Sequence, residues 1–262
     1  MPELPDVEAL ARRLRRRILR WRITRVALPD PSVVRSPRPS VFGRRLRGRS
    51  IRDVGRRGKY FLVHLSGGLV IVGHLRMTGD IAVVRRTDPL RPHTRLMIGF
   101  DGDELRFVDQ RRFGHVELVG ARALDTVSGL RGLGVEPLDP AFTPARLRAL
   151  LRGRRGALKA LLLRQDLIAG IGNIFADEIL YQARLHPARQ IRTLRPLEIG
   201  AFYRSIRRVL RRAVRALSRR RGAEGTLLAV RAPGGVCPRC GGPLRVARIA
   251  GRTTYFCPRC QR

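Results

Sequence analysis

A proline follows the initiator methionine, and a glutamate follows the proline. Removal of Met1 exposes Pro2 as a secondary α-amine. Such a group titrates near pH 8, so roughly a tenth of it is neutral and nucleophilic at pH 7. An amine of that kind attacks a carbon at the aldehyde level and forms an iminium, the covalent chemistry of Schiff-base lysines. Glu3 places a carboxylate beside it that can move protons. A plainer reading of the same residues is a proline-rich cap ahead of a first helix, and these few residues alone favour it.

A second set of chemistry-bearing residues lies near the other end. The four cysteines occur as Cys237-x2-Cys240-x16-Cys257-x2-Cys260. Two CxxC knuckles at this separation suit a tetrahedral four-cysteine zinc site, closed to substrate and therefore structural. Two disulfides or an iron–sulfur site are the alternatives. Leu244–Ile249 and Thr253–Phe256 read as strands on either side of Ala250-Gly251, which makes the unit a hairpin.

Two further motifs are weaker. Ile168 to Glu178 is a glycine-rich turn opening a helix, whose free N–H groups could bind a phosphate. His74-Leu-Arg-Met77-Thr-Gly79 and Asp109-Gln-Arg111-Arg-Phe113-Gly114 put long or aromatic side chains on glycine-bearing loops. Proteins that unstack DNA insert apolar wedges of this kind, although a single exposed methionine is more often incidental.

Charge points the same way. Fifty-five Lys+Arg stand against 20 Asp+Glu, a formal +35, which implies a polyanionic partner, most simply DNA or RNA. Only Lys59 and Lys159 are lysines, positions where a compact ammonium suits better than a planar guanidinium. Hydrophobic residues make up 44%, enough for a real core. The cysteine distribution argues against a secreted disulfide scaffold. With no signal-peptide pattern and no apolar run of membrane-spanning length, the expectation is a cytoplasmic monomer, nucleoid-associated through DNA, with no membrane partner. The arginine-rich stretches Arg12 to Arg17 and Arg204 to Arg221 keep apolar residues at helical spacing and read as basic faces of amphipathic helices.

The elements that must position these residues follow from periodicity. Residues 5–20 read as a helix with an apolar stripe of Val7, Leu10, Leu14 and Ile18. From Trp21 to about Val119 come short apolar or alternating runs: Ile23–Leu28, Tyr60–Leu65, Leu69–Leu75, Ile81–Val84, Thr94–Phe100, Glu104–Asp109 and His115–Leu118. Their turn-rich separators predict an antiparallel sandwich or barrel. Helices are predicted at Pro144–Leu151, Ala157–Leu163, Ile174–Ala183 and Pro196–Ser218. The fold class is α+β, with a catalytic helix and β-sandwich over 1–120, a linker over 121–140, a helical DNA-binding domain over 141–235 and a zinc finger over 236–262.

Taken together, the chain resembles the formamidopyrimidine-DNA glycosylase / endonuclease VIII family of base-excision repair enzymes. The resemblance rests on Met-Pro-Glu-Leu-Pro at the start, Gly58-Lys59-Tyr60, His74 to Gly79, Arg111 to Gly114, Lys159, Ile168 to Glu178, His186-Pro187, Gly251-Arg252-Thr253-Thr254 and Cys260-Gln261. It implies a bifunctional glycosylase and abasic-site lyase with a helix-two-turn-helix domain, one structural zinc on Cys237, Cys240, Cys257 and Cys260, and duplex DNA with damaged or abasic sites as partner. Pro2 would be the nucleophile at C1′, and Glu3 would move protons. Lys59, also at the catalytic centre, would grip flanking phosphates with Asn173 and Arg252. His74 and Lys159 would join the DNA contacts. Met77, Arg111 and Phe113 would fill the gap left by an extruded base. Two departures stand out: Asp6 where glutamate is common, and an Arg219 to Val236 stretch shorter than members that remove 8-oxoguanine usually carry. An endonuclease VIII-like enzyme for oxidised pyrimidines or bulky lesions, and a non-catalytic damaged-DNA-binding protein, are the competing expectations.

Overall fold

The predicted first helix forms as α1 (Leu4–Ile18) in the computed structural model, which describes residues 1–219 and 225–262. Its stripe of Val7, Leu10, Leu14 and Ile18 is buried, and on its basic face Arg12 pairs with Glu8, Arg15 with Asp53 and Arg17 with Asp103. The chain divides into two units, residues 1–2 with 6–131 and residues 3–5 with 132–262.

The first unit is a sandwich. One sheet has the order β2 (Val34–Ser36), β9 (His115–Gly120), β5 (Leu69–His74), β4 (Tyr60–Leu65), β3 (Ile51–Arg57). The other has the order β1 (Arg25–Ala27), β7 (Thr94–Gly99), β8 (Asp103–Val108), β6 (Asp80–Arg85). All pairings are antiparallel except β2 with β9. One core joins the α1 stripe to Phe61 and Ile71 of the first sheet and Ile98 and Phe107 of the second. Hairpin turns join β4 to β5 and β7 to β8, with Gly67, Gly68 and Gly102 at positive φ, where glycine carries no Cβ penalty. A further helix, α2 (Pro39–Leu46), buries Phe42 and Leu46. It is too short, with too few apolar positions, to announce itself by periodicity.

The second unit is helical. Here α3 (Pro144–Leu151) starts on Thr143, whose hydroxyl accepts the Arg146 N–H at 3.1 Å. Next come α4 (Leu158–Leu163), α5 (Asn173–Ala183) and α6 (Pro196–Ser218). Helix α5 is buried from Phe175 to Tyr181, and both α6 and β11 pack on it. The hairpin β10 (Arg245–Ile249) and β11 (Arg252–Phe256) turns at Ala250-Gly251. Both turn residues lie at positive φ, as a two-residue hairpin turn requires.

The segment read as a linker is structured. Residues 121–131 belong to the first unit, and Gly129 leaves room for the Tyr60 ring. Val135 bridges to Ile168 in the second. The shortened stretch after Arg219 falls partly on residues 220–224, which lie outside the described residues. Among the described residues no helix is long and apolar enough to cross a membrane.

Candidate active site

Glu3 is 1% exposed, and its carboxylate receives three backbone N–H groups. Gly172 and Phe175 donate to Oε2 at 2.8 and 3.2 Å, and Ile174 donates to Oε1 at 2.9 Å. These lie at the N-terminus of α5, where unpaired donors and the helix dipole favour an anion. The glycines make the approach possible. A Cβ on Gly172 would sit 2.4 Å from the Glu3 carboxyl carbon, and one on Gly170, at φ +88°, would sit 2.7 Å from Leu4 Cβ. The Leu4 N–H also donates to the Gly170 carbonyl at 3.0 Å. This corrects one expectation: the helix N-terminus is not free for a phosphate, because the chain's own Glu3 occupies those donors. Pro2, partly buried, is the residue directly before this locked carboxylate.

Lys159 is also placed differently from its expected role. Its side chain is fully buried, and Nζ donates to Asp177 Oδ1 at 2.6 Å and to Thr254 Oγ1 at 2.6 Å. No exposed part remains to meet a phosphate, so Lys159 is a positioning residue and not a DNA contact. Asp177 also receives Arg231 at 2.8 Å and the Tyr255 N–H at 3.2 Å. Burial pushes the Asp177 carboxyl up and the Lys159 ammonium down; their mutual attraction opposes both shifts, while Arg231 opposes the first and, as a like charge, adds to the second. Together these contacts fix β11 to α4 and α5. Asn173 joins them, its Nδ2 donating to the Thr253 carbonyl at 3.0 Å, while Arg252 at the hairpin turn is exposed.

The four cysteine sulfurs all lie within 4.8 Å of one another. Cys237 and Cys260 are 3.9 Å apart, and Cys240 and Cys257 are 3.5 Å apart. Disulfides need about 2.05 Å, whereas Zn–S bonds of about 2.3 Å in a tetrahedron put sulfurs about 3.8 Å apart. The donor set therefore fits one structural zinc ion. Tyr181 Oη lies 3.4 Å from the Cys237 sulfur. Gln261, buried, accepts the Cys257 N–H at 2.9 Å and donates to the Leu185 carbonyl at 3.0 Å, anchoring the second knuckle to the helical unit.

In the first unit, buried Asp109 joins the two loops expected to meet DNA. Its Oδ1 accepts the Thr78 hydroxyl and, at 3.2 Å, the Arg111 N–H, while Oδ2 accepts the Gly114 N–H at 2.7 Å. That brace holds out Met77 and Phe113, which are 42% and 50% exposed. The Arg111 guanidinium lies over the Phe113 ring at 4.8 Å. His74 accepts the Arg76 N–H on Nδ1 at 2.8 Å and so shapes the first loop from below. Burial, with Arg76 beside it, lowers His74 to about 3, and burial lowers its stacked neighbour His115 to about 4, so both are neutral near pH 7. Lys59, partly exposed, follows Gly58 in the turn between β3 and β4.

The expected residues thus fall into two sets. Met77, Arg111 and Phe113 are braced through Asp109, and Glu3, Asn173, Lys159 and Arg252 gather round α5 and β11. Sequence reasoning missed Asp109, Asp177 and Arg231 as the bracing groups. The signal for Asp177 was available: a surviving lysine destined for burial needs an acid, and Asp177 lies within the motif already singled out.

Comparison with known proteins bears on all three parts of the chain. The family model for the formamidopyrimidine-DNA glycosylase N-terminal domain matches residues 1–116. The formamidopyrimidine-DNA glycosylase H2TH domain matches residues 133–221, and the zinc finger found in FPG and IleRS matches residues 234–262. The formamidopyrimidine-DNA glycosylase of Pelotomaculum thermopropionicum is 41% identical over 274 residues, covering 100% of this chain and 99% of that protein. The Lactococcus lactis Fpg (MutM), solved with DNA containing an oxidized pyrimidine, superposes with a TM-score of 0.91 at 31% identity and full coverage of both chains. The same enzyme with FAPY-dG-containing DNA superposes at 0.90, also at 31% identity, covering 99% of this chain and 100% of that one.

Proposed function

Because the chain belongs to the formamidopyrimidine-DNA glycosylase family, we propose that it excises damaged bases by covalent catalysis at the Pro2 amine. It is a DNA glycosylase of base-excision repair, in a family for which abasic-site lyase activity is typical. Its partner on this reading is duplex DNA carrying a damaged base or an abasic site, bound by a monomer in the cytoplasm.

The observation that carries the reading is the lock on Glu3. The fold commits three N–H groups and the space at Gly172 to one carboxylate, and that carboxylate belongs to the residue directly after Pro2. A binding protein has no need of such an arrangement. With Met1 removed, the Pro2 nitrogen lone pair attacks C1′, the bond from C1′ to the base breaks, and the base leaves with that electron pair and takes up a proton. The attached nitrogen loses its proton, the C1′–O4′ bond breaks as Glu3 delivers a proton to O4′, and the opened sugar is left as an iminium that acidifies the C2′ proton. Loss of that proton expels the 3′ phosphate, and a second elimination expels the 5′ phosphate. Glu3 moves protons in these steps, and water releases the enzyme from the sugar fragment. Extrusion of the damaged nucleotide exposes C1′, with Met77, Arg111 and Phe113 filling the vacated stack, His74 supporting the Met77 loop, and Lys59, Asn173 and Arg252 holding phosphates. The zinc serves the hairpin and not the chemistry.

Borohydride reduction during turnover on an abasic-site duplex tests the reading. A protein–DNA adduct mapped to Pro2 is expected, in material whose intact mass shows Met1 removed. No adduct from such material would sink the lyase assignment. On lesion choice, the short stretch after Arg219 favours ring-opened purines or oxidised pyrimidines over 8-oxoguanine. A panel of lesion duplexes at one fixed ionic strength tests it, and 8-oxoguanine excised as fast as the others would refute it.

A further inference from the structure

Helix α6 carries Arg204, Arg208, Arg211 and Arg215 along one face. At 3.6 residues per turn these four lie within about 60° of one another, opposite the buried Phe202, Ile206 and Val209. All four are exposed, and among the described residues none has a hydrogen-bond or ion-pair partner. Beyond Glu198, which pairs with Arg189 and Arg195, the helix contains no acidic residue. The contrast with α1 lies in the arrangement: there Arg12, Arg15 and Arg17 meet Glu8, Asp53 and Asp103, whereas here four arginines in line on one face meet no acid. Like charges three and four residues apart repel along a helix, so this face is built for an anion that the chain itself does not supply.

The stripe borders a groove of about 730 Å³ whose other wall is at Pro140. That wall is fixed to the helix. Arg207 donates to the carbonyls of Asp139 at 2.8 Å and Phe142 at 3.0 Å, and Tyr203 Oη donates to the Phe142 carbonyl at 2.8 Å. The four free guanidiniums span about 16 Å along the axis. A small anion would meet one or two of them, whereas B-DNA offers a charge every ~1.7 Å and can meet all four. The face is also distinct from the residues round Asn173 and Arg252, since β11 and the buried side of α6 both pack on α5 and the stripe points away from it.

We propose that this face of α6 binds a second, undamaged segment of duplex DNA through its phosphate backbone while the lesion site is engaged. The proposal rests on the repair reading above, which makes DNA the polyanion at hand. Two held duplexes would let the enzyme pass from one to the other without a free intermediate.

The test compares the native enzyme with a variant carrying Arg204→Gln, Arg208→Gln, Arg211→Gln and Arg215→Gln. Cleavage of a short abasic duplex should stay within about twofold. The slope of log affinity against log salt for long undamaged duplex should become shallower by about 3.6, at about 0.9 per lost phosphate contact. Release of a labelled duplex should quicken with unlabelled competitor duplex for the native enzyme and not for the variant. The four-lysine counterpart should restore both effects, and Arg208→Gln with Arg215→Gln should give about half the slope change if the quadruple variant folds poorly. Unchanged slope and unchanged competitor dependence would overturn the proposal. So would loss of cleavage on the short duplex, which would put the stripe in the lesion interface, or competition by RNA but not by DNA. A native enzyme that binds long duplex yet cleaves nothing would count against the repair reading alone.

Discussion

Lys159 and Asp177 form an ion pair, Nζ to Oδ1 at 2.6 Å, with neither side chain exposed to solvent. The pair joins α4 to α5, and through Thr254 and Tyr255 both partners reach β11 of the zinc hairpin. Breaking a buried pair by removing one partner typically costs about 3–5 kcal/mol, because the other charge is left without compensation. Lys159→Met should therefore lower the unfolding free energy by about 3 kcal/mol and weaken binding to a lesion duplex while zinc content is kept. Arg231 still faces Asp177 in that variant, so the loss should fall short of complete unfolding. A double-mutant cycle with Asp177→Asn measures the coupling, and additive effects would show that the pair is incidental.

Gly172 leaves room for the Glu3 carboxylate. Gly172→Ala should displace Glu3 while the zinc hairpin stays in place. Base removal should fall on the order of 10²-fold, the range of a lost proton-transfer group, whereas binding of an abasic-site duplex should change little. Single-turnover excision measured beside equilibrium binding separates the two, and an equal loss in both would mean that Glu3 only supports the fold.

His74 and His115 are buried, and their folded-state values of about 3 and about 4 lie below the ordinary 6.5. Between those limits the unfolded chain binds protons that the folded chain refuses. Their contribution is thus fully present above about pH 6.5 and is lost as pH falls through 4 toward 3. Thermal melts from pH 7.5 to 4 should show this decline, and His115→Phe should flatten it relative to the native protein. Parallel profiles would contradict the assignment.

Purified protein should contain one zinc ion per chain, lost in Cys260→Ser. Loss of the metal should release the hairpin, move Arg252 and weaken DNA binding, while the melting of the first unit, which has its own core, is unchanged. Elemental analysis with calorimetry checks both parts, and zinc-free protein of full DNA affinity would refute the claim.

Much of this was legible along the chain. Patterns set by neighbouring residues survive folding: Pro144–Leu151 and Pro196–Ser218 became helices with those bounds, and Tyr60–Leu65 became a strand. The CxxC spacing announced the zinc site because a knuckle closes within a few residues. The three-residue β2, the polar-rich β3 and the short α2 were missed because pairing and burial, not local pattern, decide such elements.

The amino-acid sequence by itself determined the chemical inventory: a latent secondary amine with an acid beside it, four sulfurs in two knuckles, a wedge on each of two loops and a large positive charge. Only the tertiary structure decided how those groups are used. It turned Glu3 into the anion of the α5 N-terminus, which a sequence reading had left open to phosphate. It drew Lys159 inward to Asp177, and it made Asp109 the brace between the Met77 and Phe113 loops. The reason is physical. A residue's type and its near neighbours specify what it can donate, accept or attack. Whether it faces solvent or a partner far along the chain depends on burial and on hydrogen bonds that exist only once the chain has closed on itself.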